Sequence, residues 1–200
     1  HLVFASSSSV YGNNREMPFS VLQRTDQPLS FYGATKKCNE LIAYSYSSTY
    51  GLPVTGLRFF TVYGPWGRPD MALFKFTKSI LEEEEIEIYN NGEMARDFTY
   101  VDDITEGIGK ALDILPKNED KVPFKIYNLG YGEPVKLLDF VRILENTIGK
   151  KAKKDVTSAG GRFADDLVGS FRFDQCSGLC APDSAGRRSW KVCELVQTVL

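Results

Sequence analysis

Short apolar runs that are typical of strands alternate with amphipathic segments that are typical of helices through about the first 150 residues. This alternation restricts the fold, because strands separated by helices favour a parallel sheet with helices packed on its faces. The predicted strands are residues 2–5, 53–60, 85–89 and 124–129, and the predicted helices are 33–50, 71–82, 102–115 and 134–149. The sequence therefore predicts an α/β architecture with a largely parallel sheet.

Composition and charge narrow the class of protein. The chain has 200 residues, of which 42% are hydrophobic, and its net charge is −2. This balance is typical of a globular protein, and the absence of a basic excess argues against a nucleic-acid partner. No apolar run is long enough to span a bilayer, so we expect no membrane segment in this sequence.

Two features near the amino terminus suggest a catalytic site. Tyr32 and Lys36 are four residues apart in YGATK, so on a helix they lie on one face. A nearby ammonium favours the phenolate form of tyrosine, which makes the pair a candidate acid/base. The serine run 6–9 follows a predicted buried strand, at the edge where open α/β sheets place ligands. Taken singly, the pair could be exposed helix side chains and the run a low-complexity loop.

Two arginines in predicted loops are candidates for binding phosphate. Arg68 lies in GRPDMA and Arg96 lies in ARDFTYVDD, and a guanidinium group matches phosphate oxygens in a bidentate manner. Taken separately, each arginine could equally be a surface residue in a turn. We predict that the loop containing Arg96 leads into a helix whose N-cap is Asp102 or Asp103.

Residues 2–154 resemble a known family in the motifs ASSSSVYG, YGATKK, LRFFTVYGPWGRPDMA, ARDFTYVDD and YNLG. The family is that of the extended short-chain dehydrogenase/reductases that act on nucleotide sugars, the NAD-dependent epimerases and dehydratases. Within it, PWGRPDMA joined to RFFTVYG is most similar to the UDP-glucuronate 4-epimerases. The resemblance implies the C-terminal part of a Rossmann-type doubly wound sheet plus a small substrate-binding α/β portion, with NAD as cofactor and a UDP-sugar as substrate.

The resemblance also implies a role for each candidate residue. Ser7 would hydrogen-bond the sugar 4-hydroxyl, and Tyr32 would take its proton as hydride leaves C4 for NAD. Lys36 would stabilise the phenolate and hold the nicotinamide ribose, and Phe59 would contact the cofactor. The other implied substrate-binding residues are hydroxyl donors for the sugar carboxylate and arginines for the diphosphate: Ser8, Ser9, Thr61, Arg68 and Arg96.

Several alternatives remain open at this point. Among enzymes, they are a UDP-glucose or UDP-N-acetylhexosamine 4-epimerase and a UDP-glucuronate decarboxylase. The decarboxylases and related dehydratases usually carry an acidic residue in the segment that matches SSSSVYG, and this sequence has none there. From another class, the chain could be a catalytically inactive module that binds UDP-sugars. Relatives commonly form homodimers, and they are cytoplasmic or, where a preceding segment anchors them, bound to the Golgi membrane.

The start of the chain predicts that part of the parent enzyme precedes it. The sequence begins at His1 with no initiator methionine, and no glycine-rich turn that would receive a dinucleotide pyrophosphate occurs in it. We therefore expect that these 200 residues alone do not bind NAD tightly.

Residues 155–200 differ from the rest of the sequence, and we predict that they form a separate region. We divide the sequence into residues 1–154, the epimerase portion, and residues 155–200, an atypical tail. Back-translation of SWKVCELVQTV with a shift of one base gives VGKFVSWYRL, which is similar to the closing helix of the family. We therefore hypothesise a frameshift near residues 155–161, with a divergent or alternatively spliced tail as the alternative. The tail cysteines have neither zinc-site spacing nor a nearby histidine, so we expect no metal site: Cys176, Cys180 and Cys193.

Overall fold

The computed structural model describes residues 1–14, 16–93, 95–117, 121–132 and 134–157. Its strands are β1 (Leu2–Ser7), β2 (Val54–Phe59), β3 (Thr61–Tyr63), β4 (Glu85–Tyr89), β5 (Ala95–Tyr100), β6 (Phe124–Leu129), β7 (Pro134–Lys136) and β8 (Lys153–Thr157). Its α-helices are α1 (Phe31–Tyr50), α2 (Ala72–Glu82), α3 (Val101–Asp113) and α4 (Leu137–Ile148). The tail cysteines and the frameshift hypothesis beyond residue 157 lie outside the described residues.

Parallel pairing dominates the sheets, as the sequence predicts. The main sheet has the order β1-β2-β6 with all pairs parallel, so the three carboxyl ends lie at one edge. A second sheet places β5 between β3, which is parallel to it, and β7, which is antiparallel. Strand β8 pairs in parallel with β4. It includes residue 154, so it spans the predicted boundary between residues 1–154 and 155–200.

Two apolar clusters hold α2, α3 and α4 against the strands. In the larger cluster, Phe140 of α4 stacks on Phe98 of β5 with ring centroids 4.4 Å apart, and Ile80 of α2 is buried beside them. In the smaller cluster, Ile104 of α3 packs with Leu57 of β2. Full burial of such a side chain contributes about 1.5–3 kcal/mol, so these contacts fix each helix on its sheet.

Helix α1, which carries Tyr32 and Lys36, is defined by a cap at each end. The Ser30 hydroxyl accepts a hydrogen bond of 3.0 Å from the Gly33 amide, which satisfies one of the free N–H groups of the first turn. Gly51 ends the helix with a positive φ of 62°, a conformation that glycine adopts without steric cost. The helix predicted at 33–50 therefore ends where expected and begins two residues earlier.

Three local predictions are wrong. Arg96 and Asp97 lie in strand β5, not in a loop, because β5 pairs with both β3 and β7. Neither Asp102 nor Asp103 is the N-cap of α3: the cap position is Tyr100, and both aspartates lie in the first helical turn. Residues 134–136, predicted as the start of a helix, form β7 and pair with 95–97.

Three findings concern membrane spans, metal ligands and thiols in the described part of the chain. Within it, no helix is both long enough and apolar enough to cross a membrane. No group of three or more histidine, cysteine or acidic residues is placed to hold a metal ion among these residues. Cys38 is exposed on α1 with a free thiol.

Candidate active site

The carboxyl edge of the main sheet brings the first candidate residues together. Ser7 is the last residue of β1 and Phe59 is the last residue of β2, and the two are partners in the strand register. A strand's carboxyl end in an open parallel sheet is the usual position of a ligand, because the chain there leaves the sheet and opens a crevice.

The serine run leaves β1 as a tight turn. Residues Ser8–Tyr11 form a 3₁₀ helix, and Ser7 is its N-cap, with its hydroxyl accepting a 3.2 Å hydrogen bond from the Ser9 amide. The Ser7 hydroxyl also donates to the Ser9 hydroxyl at 3.2 Å. Ser7 is buried, whereas Ser8 and Ser9 are half-buried. The turn therefore presents several hydroxyl groups at the end of β1.

Lys36 lies between the phenol of Tyr32 and the backbone of β1. Its Nζ is 5.7 Å from the centroid of the Tyr32 ring and donates a 3.0 Å hydrogen bond to the Ala5 carbonyl oxygen. Tyr32 is 52% exposed, so its hydroxyl is accessible to a ligand. The Lys36 ammonium therefore makes a cation–π contact with the Tyr32 ring while its hydrogen bond holds it against β1.

Gly33 allows α1 to approach the serine turn closely, which sequence reasoning missed. A Cβ at this position would lie 2.7 Å from the Ser9 carbonyl oxygen, a separation that requires something to move. Gly33 immediately follows Tyr32, so this contact sets the position of the phenol relative to the serines. The glycine inside YGATK was the available signal, since a residue without Cβ is needed where backbones meet.

A buried ion pair next to these residues was also missed. Glu40 and Arg58 are 4% and 3% exposed, and Arg58 Nε and Nη2 donate to the two carboxylate oxygens at 2.8 and 2.9 Å. Burial alone would raise the pKa of Glu40, but Arg58 and the Ser6 hydroxyl outweigh it and hold that pKa below its usual range. A charged residue inside the apolar strand sequence LRFF was the signal.

The remaining candidates lie on the loops and strands beside this edge. Arg68 is exposed in the loop after β3, and its Nε donates to Asp70 at 3.0 Å. The Asp70 carboxylate raises the pKa of Arg68, and Tyr32 adds to this shift, so Arg68 and Tyr32 are within electrostatic range. Thr61 begins β3, two residues after Phe59, and is half-buried.

Arg96 is placed differently from the other candidates. It lies in β5 of the second sheet, where it pairs with Val135, and its side chain is half-buried. Burial lowers the pKa of Arg96 to about 10, which leaves the guanidinium charged at neutral pH. The structure thus groups Ser7, Ser8, Ser9, Tyr32, Lys36 and Phe59 at one edge and places Arg96 on the neighbouring sheet.

A cavity beside β1 has Lys36 in its wall. Its volume is about 520 Å³, it is open to solvent, and its lining is mostly apolar, including Phe4 and Ile42, with Lys36 and Asn39 as polar members. An ammonium group has three N–H donors, and Ala5 accepts one from Lys36. A second N–H of Lys36 could therefore bind a ribose hydroxyl without breaking the contact to β1, so these residues fit the cofactor that the resemblance implies.

Comparison with known proteins identifies similar sequences and folds. A family model described as the NAD-dependent epimerase/dehydratase family matches residues 1–130. The chain is 54% identical over 168 residues to Protein CapI of Staphylococcus aureus, covering 78% of this chain and 50% of that protein. It is 55% identical over 163 residues to UDP-glucuronate 4-epimerase 6 of Arabidopsis thaliana, covering 76% of this chain and 35% of that protein.

A solved structure shows the same fold. The UDP-glucuronic acid 4-epimerase of Bacillus cereus, in complex with UDP-glucuronic acid and NAD, superimposes with a TM-score of 0.78 at 30% identity. The match covers 98% of this chain and 59% of that protein. The chain spans about half the length of the curated relatives it matches.

Proposed function

Because the chain belongs to the NAD-dependent epimerase/dehydratase family, we propose that it carries the acid/base and sugar-binding part of an NAD-dependent UDP-glucuronate 4-epimerase. One observation carries the proposal: Lys36 is held by the β1 backbone 5.7 Å from the ring of an accessible Tyr32, beside the serine turn. Proton transfer at a sugar hydroxyl needs a phenol that can lose its proton and a hydroxyl that orients the substrate, and this edge supplies both.

Each residue at the edge has a chemical task in the proposed reaction. The Tyr32 phenolate accepts the proton of the sugar 4-hydroxyl at Oη and later returns it, while Ser7 Oγ hydrogen-bonds the same sugar oxygen. Lys36 stabilises the phenolate and binds the ribose of NAD, and Phe59, at the carboxyl end of β2, contacts the cofactor. The chemistry that NAD supplies when bound is acceptance of a hydride from C4 and its return to the opposite face of the 4-keto sugar.

The groups that would bind the rest of the substrate are neutral hydroxyls and two arginines. Ser8, Ser9 and Thr61 can donate hydrogen bonds to the sugar carboxylate without neutralising it, so the carboxylate stays charged and loss of carbon dioxide from the β-keto acid is disfavoured. Arg68 and Arg96 can pair with diphosphate oxygens, because both guanidinium groups are charged at neutral pH.

The test is product analysis with the natural protein that contains this sequence. Purified protein is incubated with NAD and UDP-glucuronate, UDP-glucose or UDP-N-acetylglucosamine, and the nucleotide sugars are separated by anion-exchange chromatography. We expect UDP-galacturonate from UDP-glucuronate. We expect Tyr32→Phe to lower kcat about 100-fold or more, because general acid–base catalysis contributes about 10²–10⁴-fold. Tyr50→Phe, at the exposed far end of α1, is the matched control and should be unchanged.

Each other result rejects part of the proposal. Turnover of UDP-glucose or UDP-N-acetylglucosamine alone would reject the substrate, and formation of UDP-xylose would indicate a decarboxylase. Saturable binding of UDP by a folded protein that turns over none of these sugars would indicate a binding module instead of an enzyme.

A further inference from the structure

A row of polar side chains crosses the main sheet one residue before the carboxyl ends of β1 and β2. Ser6, Arg58 and Asn128 are register partners on β1, β2 and β6, and all three are buried. Register partners project from the same face of a sheet, so the three polar groups form a continuous line beneath the candidate active site. A polar line in this position is unexpected, because strands of parallel sheets are usually covered on both faces and apolar throughout.

Glu40 of α1 and Tyr11 of the 3₁₀ helix connect this row to the elements above it. Glu40 Oε1 accepts from Ser6 Oγ at 2.6 Å and from Arg58 Nε at 2.8 Å. Arg58 Nη1 donates to the Tyr11 hydroxyl at 3.0 Å, and that hydroxyl donates to Asn128 Oδ1 at 2.6 Å. The network therefore joins three strands, the helix of Tyr32 and the serine turn through short hydrogen bonds.

Stability alone is a weak explanation for such a network. Removing two charges from water costs several kcal/mol, and well-packed apolar residues of similar volume often stabilise a fold as well or better. Apolar residues cannot fix the orientation of one side chain relative to another in this way. The planar guanidinium of Arg58 donates to both carboxylate oxygens of Glu40 and so fixes the mutual orientation of the two side chains.

Members of the network lie close in the sequence to each proposed catalytic group. Ser6 immediately precedes Ser7, Tyr11 ends the turn that begins with Ser8, and Glu40 lies one helical turn after Lys36. A shift of α1 along the sheet would move the Tyr32 phenol relative to the Ser7 hydroxyl. Misplacement of reacting groups by about 1 Å can cost about 100-fold in rate.

We propose that the Glu40–Arg58 pair fixes the position of α1 along the sheet. It thereby fixes the placement of Tyr32 and Lys36 relative to Ser7. Neither residue contacts the substrate in this proposal; both act through the residues next to them. The kinetic part of the proposal rests on the proposed function, whereas its structural part does not.

The test uses Glu40→Gln, which keeps the shape and removes the charge, in the natural protein. We expect kcat to fall about 10- to 100-fold while KM for the UDP-sugar changes less than about twofold, because substrate contacts are retained and alignment is lost. Arg58→Lys keeps the charge but loses the bidentate contact, so we expect a smaller loss of kcat. Glu82→Gln removes the exposed Lys78–Glu82 pair of α2 and is the matched control, with unchanged kcat.

A second measurement does not depend on activity. Amide hydrogen exchange of the segments 5–11 and 31–37 should speed up in Glu40→Gln at a temperature where circular dichroism shows it folded, and should not change in Glu82→Gln. If the wild-type protein turns over no UDP-sugar, the proposed function fails and hydrogen exchange alone decides the positioning role.

Three results would overturn the positioning role. The first is a folded Glu40→Gln protein with kcat within twofold of wild type. The second is unchanged exchange in both segments. The third is a loss of folding in both Glu40→Gln and Arg58→Lys, which would show that the pair stabilises the fold and does not position the site.

Discussion

Glu145 shows how a single buried carboxylate can link two elements, here helix α4 and strand β8. It is buried, accepts a 3.0 Å hydrogen bond from the Ala152 amide, and lies 3.1 Å from Lys154 Nζ. Burial would raise the pKa of Glu145, but the Ala152 amide and then Lys154 outweigh it and hold that pKa below its ordinary value of 4.5. A lowered folded-state pKa means that the carboxylate stabilises the fold above about pH 4.5 and loses this effect as the pH falls through the folded-state pKa.

We therefore predict that Glu145→Gln lowers the free energy of unfolding at neutral pH by about 1–3 kcal/mol, because charge-assisted bonds are lost. The variant should also lose less stability than wild type on acidification. Urea unfolding at several pH values measures both effects. Glu106→Gln is the control: it breaks the more exposed Glu106–Lys110 pair and should cost at most about 1 kcal/mol. Parallel pH profiles for Glu145→Gln and wild type would contradict the prediction.

Residue spacing was enough to predict that Tyr32 and Lys36 lie on one helix face, but not that Glu40 pairs with Arg58. The first two are four residues apart on one helix, so periodicity alone places them on one face. Glu40 pairs with Lys37 of the same helix, but its buried partner Arg58 is 18 residues away on β2, and only the strand register and helix placement bring these two side chains together. A sequence therefore indicates that Arg58 in a buried strand needs an anion, but it does not indicate which one.

At the scale of elements, the site depends on a close contact between α1 and the serine turn. Gly33 leaves no room for a Cβ, which would lie 2.7 Å from the Ser9 carbonyl oxygen. We predict that Gly33→Ala destabilises the protein by about 1–3 kcal/mol, since backbone must shift to relieve the overlap. The same shift should lower kcat, because Tyr32 is the adjacent residue.

Gly109 in helix α3 provides the matched control for this prediction. A Cβ there meets no atom within 4 Å, so Gly109→Ala should stabilise the helix by about 0.5–1 kcal/mol through reduced backbone entropy in the unfolded chain. Urea unfolding and kcat, measured on both variants, distinguish the two effects. Similar changes in the two variants would show that the close approach of α1 to Ser9 has no energetic consequence.

Strands with an alternating or continuous apolar pattern could be predicted from the sequence, whereas strands without such a pattern could not. Strands β4 and β6 have the bounds that alternation and apolar runs predict. Strand β7 has only three residues and starts with Pro134, and β5 contains Arg96 and Asp97, so neither has a strand pattern. These strands form because β5 pairs on both sides and because the buried Asp97 carboxylate accepts hydrogen bonds from the Tyr131 and Gly132 amides at 2.9 and 2.7 Å.

At the scale of the whole molecule, the main sheet has an open edge. Among the described residues, β1 pairs with β2 on one side and with no strand on the other. Two apolar side chains of α1 next to this edge, Ile42 and Tyr46, are more than half exposed. An unpaired strand beside an exposed apolar surface is a template for pairing with another chain.

We predict that the 200-residue chain, expressed by itself, self-associates through this edge. Static light scattering over a concentration series should show an average mass well above 22.4 kDa. Leu2→Lys places a charge at an exposed position of β1 and should reduce the associated fraction several-fold, because lysine on an edge strand opposes strand pairing. Leu112→Lys removes an equally apolar exposed side chain from α3 and is the control. A monomeric chain with a sharp, reversible melting transition, or equal effects of the two substitutions, would show that the β1 edge does not drive association.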